Sequence, residues 1–391
     1  MIPQKVKASE TLALVQEVKD MRAKGLNVVS FAAGEPDFDT PAPIIEEAYA
    51  SMKRGRTRYE PTPGIPPLRE AVAEDYRNRL GCSWVQPHNT LMSAGAKQGI
   101  YLVLAGLLER GDEVLVPSPH WVSYPEVIQA AGGKTVFVET LESDEFFPRL
   151  EALKKSKTEK TKAMIFSSPC NPTGGMISPK LLEEIVGWCV AEKITLIYDE
   201  IYERLLLDPK VPHVSALKFV NEKTSEFVVS VNALSKTSAM TGWRLGFVIT
   251  SKENIAALSP LQGQMLTALP GFIQEAGVVG LKRAGEFLPR FVEAFRKRKQ
   301  VVVEGFSKIP GFRVFNPSGG FYLAVDIREA VKKLGLSGDS EFALKVLREK
   351  HVAFLPGSSM GMPGWIRISF PTTEEQINEG INRIRSFVEG R

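Results

Sequence analysis

The chain has 391 residues, 43% of them hydrophobic and 24% charged, with a net charge of +4. That is the make-up of a soluble globular protein long enough to bury a core without staples. Cys82, Cys170 and Cys189 lie far apart with no CxxC spacing, which argues against a disulfide framework or a metal site and fits a reducing cytoplasm. The basic clusters Lys53–Arg58 and Arg296–Lys299 are short and mixed with other residues. They read as solvated surface, so no nucleic-acid partner is expected. The first ten residues show no signal-peptide run, and the longest apolar stretch, Ile100–Leu108, is well short of the roughly 20 residues a bilayer span needs. A cytoplasmic protein without membrane contact is expected.

In chain order, Glu10–Lys24 reads as a helix and Gly34–Pro43 as a crossing loop. Strand-like runs follow at Glu113–Val116, Thr135–Val138, Ala163–Ser167, Thr195–Tyr198, Phe227–Val231 and Leu245–Thr250, with amphipathic stretches such as Gln98–Leu108 and Pro179–Glu192 between them. Short β-rich runs separated by helices indicate an α/β fold with a mainly parallel sheet, covered by helices on both faces. The end of the chain differs. A charged helix, Glu286–Ser307, leads to short strands at Phe312–Phe315 and Phe321–Val325, a helix at Ser340–Lys350, strands at Val352–Leu355 and Trp365–Ser369, and a last helix from Thr373. This suggests a smaller α+β domain on which the N-terminal helix packs. The expected division is a large domain of residues 38–288 and a small one of residues 1–37 with 289–391.

Three segments fall directly after expected strands: Asn171-Pro-Thr-Gly174, Asp199-Glu-Ile-Tyr202, and Ser235-Lys236 with Arg244 eight residues on. Ligands of open α/β sheets bind beyond the carboxyl ends of the strands, so the three should meet at one rim. Each alone has a plain explanation: a solvated lysine, an aspartate capping a helix, an ordinary turn. Together they supply what a pyridoxal cofactor needs. A lysine amine holds it as a Schiff base, and a carboxylate keeps the pyridine nitrogen protonated. Asn171 and Tyr202 suit the phenolic oxygen, and a fixed cation such as Arg244 suits the phosphate.

On these motifs the sequence resembles the class I aminotransferases of pyridoxal-phosphate fold type I, with their mainly parallel, seven-stranded-type sheet. The likeness runs from Gly34-Glu-Pro-Asp-Phe38 to Trp365-Ile-Arg-Ile-Ser-Phe370. The resemblance implies that Lys236 carries pyridoxal 5'-phosphate and moves the substrate proton, and that Asp199 pairs with the pyridine nitrogen. It implies that Asn171 and Tyr202 contact the phenolic oxygen, that Trp121 stacks on the ring, and that Tyr124 lies near Asp199. Arg244, Ser235 and the helix start Gly95-Ala96-Lys97 would hold the phosphate, the helix start because its amides and dipole favour an anion. Tyr59 would reach the phosphate of a neighbouring subunit, which implies a homodimer with shared sites. Gly34 and Arg367 would bind the substrate α-carboxylate, for which an arginine fork is apt; Trp121 and Asn171 also face the substrate. One departure stands out: many relatives carry a phosphate-binding serine three residues before the lysine, and here that residue is Ala233.

The resemblance also bears on the substrate. One branch of aspartate aminotransferases reads the distal carboxylate with an arginine that should fall in Leu245–Lys282, a stretch without arginine. A second branch, the bacterial aspartate and prephenate aminotransferases, uses a lysine after the Gly-Ala pair and N-terminal hydroxyls. Lys97, Ser9 and Thr11 match those positions. Transfer between aspartate and 2-oxoglutarate is therefore expected, with prephenate as a further substrate. The alternatives are an aromatic or kynurenine aminotransferase, a cysteine-conjugate β-lyase, or a pyridoxal-binding regulator, for which no room is expected ahead of the catalytic domain. Gly133-Lys134-Thr135 is not a P-loop, because Ile128 stands where its first glycine belongs. No G-x-G-x-x-G follows an expected strand, which argues against a dehydrogenase.

Overall fold

The computed structural model describes residues 6–7 and 10–390. Thirteen strands occur among them: β1 (Val29–Ser30), β2 (Thr90–Ser93), β3 (Glu113–Ser118), β4 (Lys134–Glu139), β5 (Thr161–Ser167), β6 (Thr195–Asp199), β7 (Val228–Ala233), β8 (Gly246–Ile249), β9 (Arg313–Phe315), β10 (Tyr322–Asp326), β11 (Val352–Ala353), β12 (Leu355–Pro356) and β13 (Trp365–Ser369). Seven form one sheet in the order β2-β8-β7-β6-β5-β3-β4, in which only β8 runs antiparallel to its neighbours. The sheet is mainly parallel, as expected from the alternation of strands and helices. Its central strands are buried except at Lys162, the second residue of β5, as expected when helices cover both faces. One hydrophobic layer gathers around Tyr76, Leu196 and Phe247, and the other around Tyr124, Ile165 and Val231.

Helix ends follow local chemistry. The helix Pro179–Glu192 begins with Pro179 behind Ser178, whose hydroxyl accepts from the Leu181 amide, and it ends at Lys193 in a left-handed conformation. A proline in the first turn costs no hydrogen bond and the serine satisfies an orphan amide, which is why the sequence marks these bounds correctly. The 24-residue helix Ala284–Ser307 leads to the second sheet, β12-β13-β10-β9, wholly antiparallel. That sheet and the helix Glu374–Val388 bury their own aromatic-rich cluster, including Phe295, Phe321, Phe342 and Phe370.

Two details differ from the sequence reading. Val352–Leu355 is not one strand: Val352–Ala353 pairs in parallel with β1, while Leu355–Pro356 joins β13 in the four-stranded sheet. Neither β1 nor the edge strand Thr90–Ser93 has a counterpart among the expected elements. No helix among the described residues is long and apolar enough to cross a membrane.

Candidate active site

The carboxyl ends of β5, β6 and β7 bring Asn171, Asp199 and Lys236 to a single cavity of about 350 Å³. Ala96, Lys97, Trp121, Tyr124, Tyr202, Ser235, Arg244 and Arg367 line the same cavity, with Thr11 and Gly34. The three strand-end segments therefore converge as their spacing requires.

Asp199 closes β6 and is buried. Tyr124 donates to its Oδ2 at 2.9 Å and the Ile201 amide to its Oδ1 at 3.2 Å. Burial pushes its carboxyl up to about 6, against the pull of these hydrogen bonds. Among the described residues no lysine or arginine pairs with it directly, so it is a buried acceptor suited to a cationic partner.

Lys236 follows β7 in a four-residue helix, Leu234–Thr237, and its ammonium donates to the Gly34 carbonyl. Burial lowers its pKa to about 8; Arg244 and Arg367 push the same way, while Glu35 and Asp199 oppose them. A sizeable share of free amine near neutral pH suits a nucleophile or a proton carrier.

Arg367, at the centre of β13, is only 2% exposed. It donates to Asn171 Oδ1 at 3.1 Å and to the Ala32 carbonyl at 2.7 Å, and its guanidinium stacks on Tyr322 at 4.6 Å. Its Nε has no hydrogen-bond partner, and no carboxylate among the described residues lies within ion-pair reach. A buried cation without a counter-ion is costly, so the site is built to receive an anion. Gly34 sits beside it: any side chain there would run into the Tyr322 hydroxyl.

At the other end, Gly95 caps the helix Ala96–Leu107 with φ +78. A side chain at Gly95 would strike the Arg244 guanidinium, which donates to the carbonyls of Thr241 at 2.9 Å and Ala94 at 3.2 Å. The first-turn amides of that helix have no intrahelical acceptor. With Arg244 and Ser235 they form a natural anion cradle. Gly95 itself serves this cradle by close approach and does not line the cavity. Ala233 lies buried at the end of β7, outside the lining.

Lys97 reaches over the face of Trp121, 4.9 Å from the ring centroid, and Trp121 meets Tyr124 edge-on at 5.4 Å. The Thr11 hydroxyl is buried at the cavity without a hydrogen-bond partner among the described residues; Ser9 lies outside them. Tyr59 is not in the cavity and is 89% exposed.

Tyr322, Glu35 and Thr241 also line the cavity and are not among the residues singled out from the sequence. Tyr322 bonds the Tyr202 hydroxyl at 2.7 Å; it belongs to a strand whose sequence reads as plain core. Glu35 and Thr241 bond one another across the mouth. Glu35, inside the Gly34-Glu-Pro-Asp-Phe38 motif, and Thr241, between Lys236 and Arg244, carry a sequence signal; Tyr322 carries none.

A family model described as aminotransferase class I and II matches residues 27–384. The chain belongs to that family. This aminotransferase is 39% identical to a probable aspartate/prephenate aminotransferase of Aquifex aeolicus, over 98% of this chain and 97% of the relative. It is 37% identical to an aspartate aminotransferase of Bacillus subtilis, over 97% and 96%. Among solved structures, the aspartate aminotransferase of Thermus thermophilus with maleate superposes with a TM-score of 0.91 at 35% identity, covering 98% of this chain and 99% of that one. The fold is that of the pyridoxal-phosphate-dependent aminotransferases, as the sequence leads one to expect.

Proposed function

We propose that this enzyme holds pyridoxal 5'-phosphate on Lys236 and moves amino groups between aspartate and 2-oxoglutarate, with prephenate as a further substrate. The observation that carries the reading is the cavity's polarity. A lysine and an uncompensated buried carboxylate face one space, flanked by an anion cradle at one end and an unpaired buried arginine at the other. The donor set fits the cofactor: Asp199 for the ring nitrogen, Asn171 and Tyr202 for the phenolic oxygen, and Arg244, Ser235 and the first turn of the helix Ala96–Leu107 for the phosphate. Trp121 offers a ring face.

When bound, the cofactor supplies an electron sink for the bonds at the substrate's Cα. The chain's own residues do the rest. Arg367 fixes the α-carboxylate and so orients Cα. Lys236 Nζ, partly free base near neutral pH, takes the Cα proton and returns it. Tyr124 holds Asp199 ionised and aimed.

Lys97 reads the distal carboxylate, assisted by Thr11. The dicarboxylate maleate in the solved Thermus enzyme and the names of the relatives support this choice over an aromatic substrate. A charge-assisted hydrogen bond to a carboxylate is worth about 1.5–3 kcal/mol, or roughly ten- to hundredfold. Lys97→Met should lower kcat/KM for aspartate by that factor and spare phenylalanine. Equal losses would assign Lys97 to the cofactor instead. A panel of amino donors with 2-oxoglutarate as acceptor tests the substrate assignment as a whole: aspartate should lead, and a lead for phenylalanine or kynurenine would overturn it.

The working form is a homodimer with shared sites. Ile45, Tyr49 and Met52, spaced i, i+4, i+7 on the helix Ala42–Lys53, are 48%, 58% and 41% exposed. With Tyr59 they offer an apolar face that suits a second copy. Mixing inactive Tyr59 and Lys236 variants should restore part of the activity, since one hybrid site carries neither lesion. No recovery after verified subunit exchange would keep Tyr59 out of the partner's site. The division into residues 38–288 and 1–37 with 289–391 belongs to the same reading, the cavity lying between the two parts. The three buried free cysteines support a place in the reducing cytoplasm.

A further inference from the structure

Glu200 directly follows Asp199, yet it faces the opposite side of the sheet, as successive residues of a strand do. Asp199 meets Tyr124 in one hydrophobic layer, while Glu200 meets Tyr76 in the other. It is wholly buried. Tyr76 donates to its Oε2 at 3.2 Å, Ser230 donates to the same oxygen, and His213 Nε2 lies 2.9 Å from Oε1. The nearby arginines are engaged elsewhere: Arg79 with Asp75 and Glu203, Arg204 with the same two. A carboxylate in this place is expensive to desolvate, and it is kept by the three groups that bond it.

What the carboxylate does is join strand ends. Its amide donates to the Val231 carbonyl at 2.9 Å, extending the β6–β7 ladder by one rung. Ser230 lies within β7. The Tyr76 hydroxyl, in turn, accepts from Asn232 Nδ2 at 3.1 Å, and Asn232 Oδ1 accepts from the Ala233 amide at 2.7 Å. That amide is the last of β7 before the short helix carrying Lys236. A continuous set of hydrogen bonds thus runs beneath the sheet, from the residue after Asp199 to the turn that presents Lys236.

We propose that Glu200 is a positioning residue whose carboxylate clamps the ends of β6 and β7 through Ser230, Tyr76 and Asn232, fixing Lys236 relative to Asp199. The catalytic consequence rests on the roles given above to those two residues; the clamp itself does not. Misplacement of reacting groups by about 1 Å costs roughly a hundredfold in rate, so a clamp beneath the site acts on kcat and leaves substrate binding alone.

Two variants and two readouts test this. In cofactor-free protein, Glu200→Met should speed amide hydrogen exchange across residues 232–238 and lower the melting temperature, because it leaves the Tyr76 and Ser230 hydroxyls without their acceptor. In the loaded enzyme, the same variant should lower kcat for aspartate by about ten- to a hundredfold, with KM little changed. Glu200→Gln keeps the hydrogen bonds and should restore most of both. Parent-like exchange and kcat in Glu200→Met would overturn the proposal, and so would an absence of rescue by Gln. Should the Met variant not fold, Tyr76→Phe removes only the linking hydroxyl and should shift exchange and kcat in the same direction; parent values there would also overturn it. Faster exchange with unchanged kcat would leave the clamp standing and point instead at the roles assigned to Lys236 and Asp199.

Discussion

Lys236→Ala should lower aminotransfer by about 10⁴-fold, the upper range for loss of a positioned acid–base group, because the variant loses both the covalent anchor and the proton carrier. The fold should not suffer. Lys236 contributes one hydrogen bond, to the Gly34 carbonyl, and its pKa of about 8 in the folded protein lies below its ordinary 10.5. A lysine whose pKa is depressed by folding destabilises the protein wherever it is charged in both states, which is below about pH 8. The penalty fades as the pH rises to 10.5. Cofactor-free Lys236→Ala should therefore melt above the parent at pH 7 and close to it near pH 10.5. Thermal melts at the two pH values check the stability half of the prediction, and steady-state turnover the catalytic half.

Asp199→Asn should cost about 10²–10³-fold in kcat, the range for removing one preorganised electrostatic contact. An amide cannot hold a pyridinium as a carboxylate does. The same substitution carries an opposite sign for the empty protein. Asp199 titrates at about 6 in the folded state against an ordinary 3.8. Its ionised form is thus a burden above pH 6, and none below about pH 4. Cofactor-free Asp199→Asn should be more stable than the parent at pH 8 and no more stable at pH 4. A variant within a few-fold of the parent's kcat would remove Asp199 from the mechanism.

Much of this was legible in the sequence because the site is built at strand ends. Asp199 and Lys236 each close or follow a short apolar run, and the sheet rule alone places them on one rim. The helix Pro179–Glu192 was legible to the residue because Ser178 and Pro179 write its start. What stayed hidden depends on pairing across the chain. Thr90–Ser93 is four residues long and gains its strand character only from β8 beside it. Val352–Leu355 looks like one run, yet its two halves pair in different sheets. Tyr322 enters the cavity because β10 pairs with β13 and sets it against Arg367. The Glu200 clamp joins residues up to 156 apart in sequence, so no local pattern could announce it. The family resemblance supplied Arg367, Lys97 and Tyr59, which alone would pass for surface charges and a loop aromatic.

The most direct test of the account is the attachment site itself. Purified protein, loaded with pyridoxal 5'-phosphate, should show a visible absorption band that borohydride abolishes. Peptide mass mapping should then place the reduced cofactor on the peptide containing Lys236 and on no other. An adduct on a different lysine, or a loaded protein whose band borohydride leaves unchanged, would contradict the assignment on which the rest of the mechanism stands.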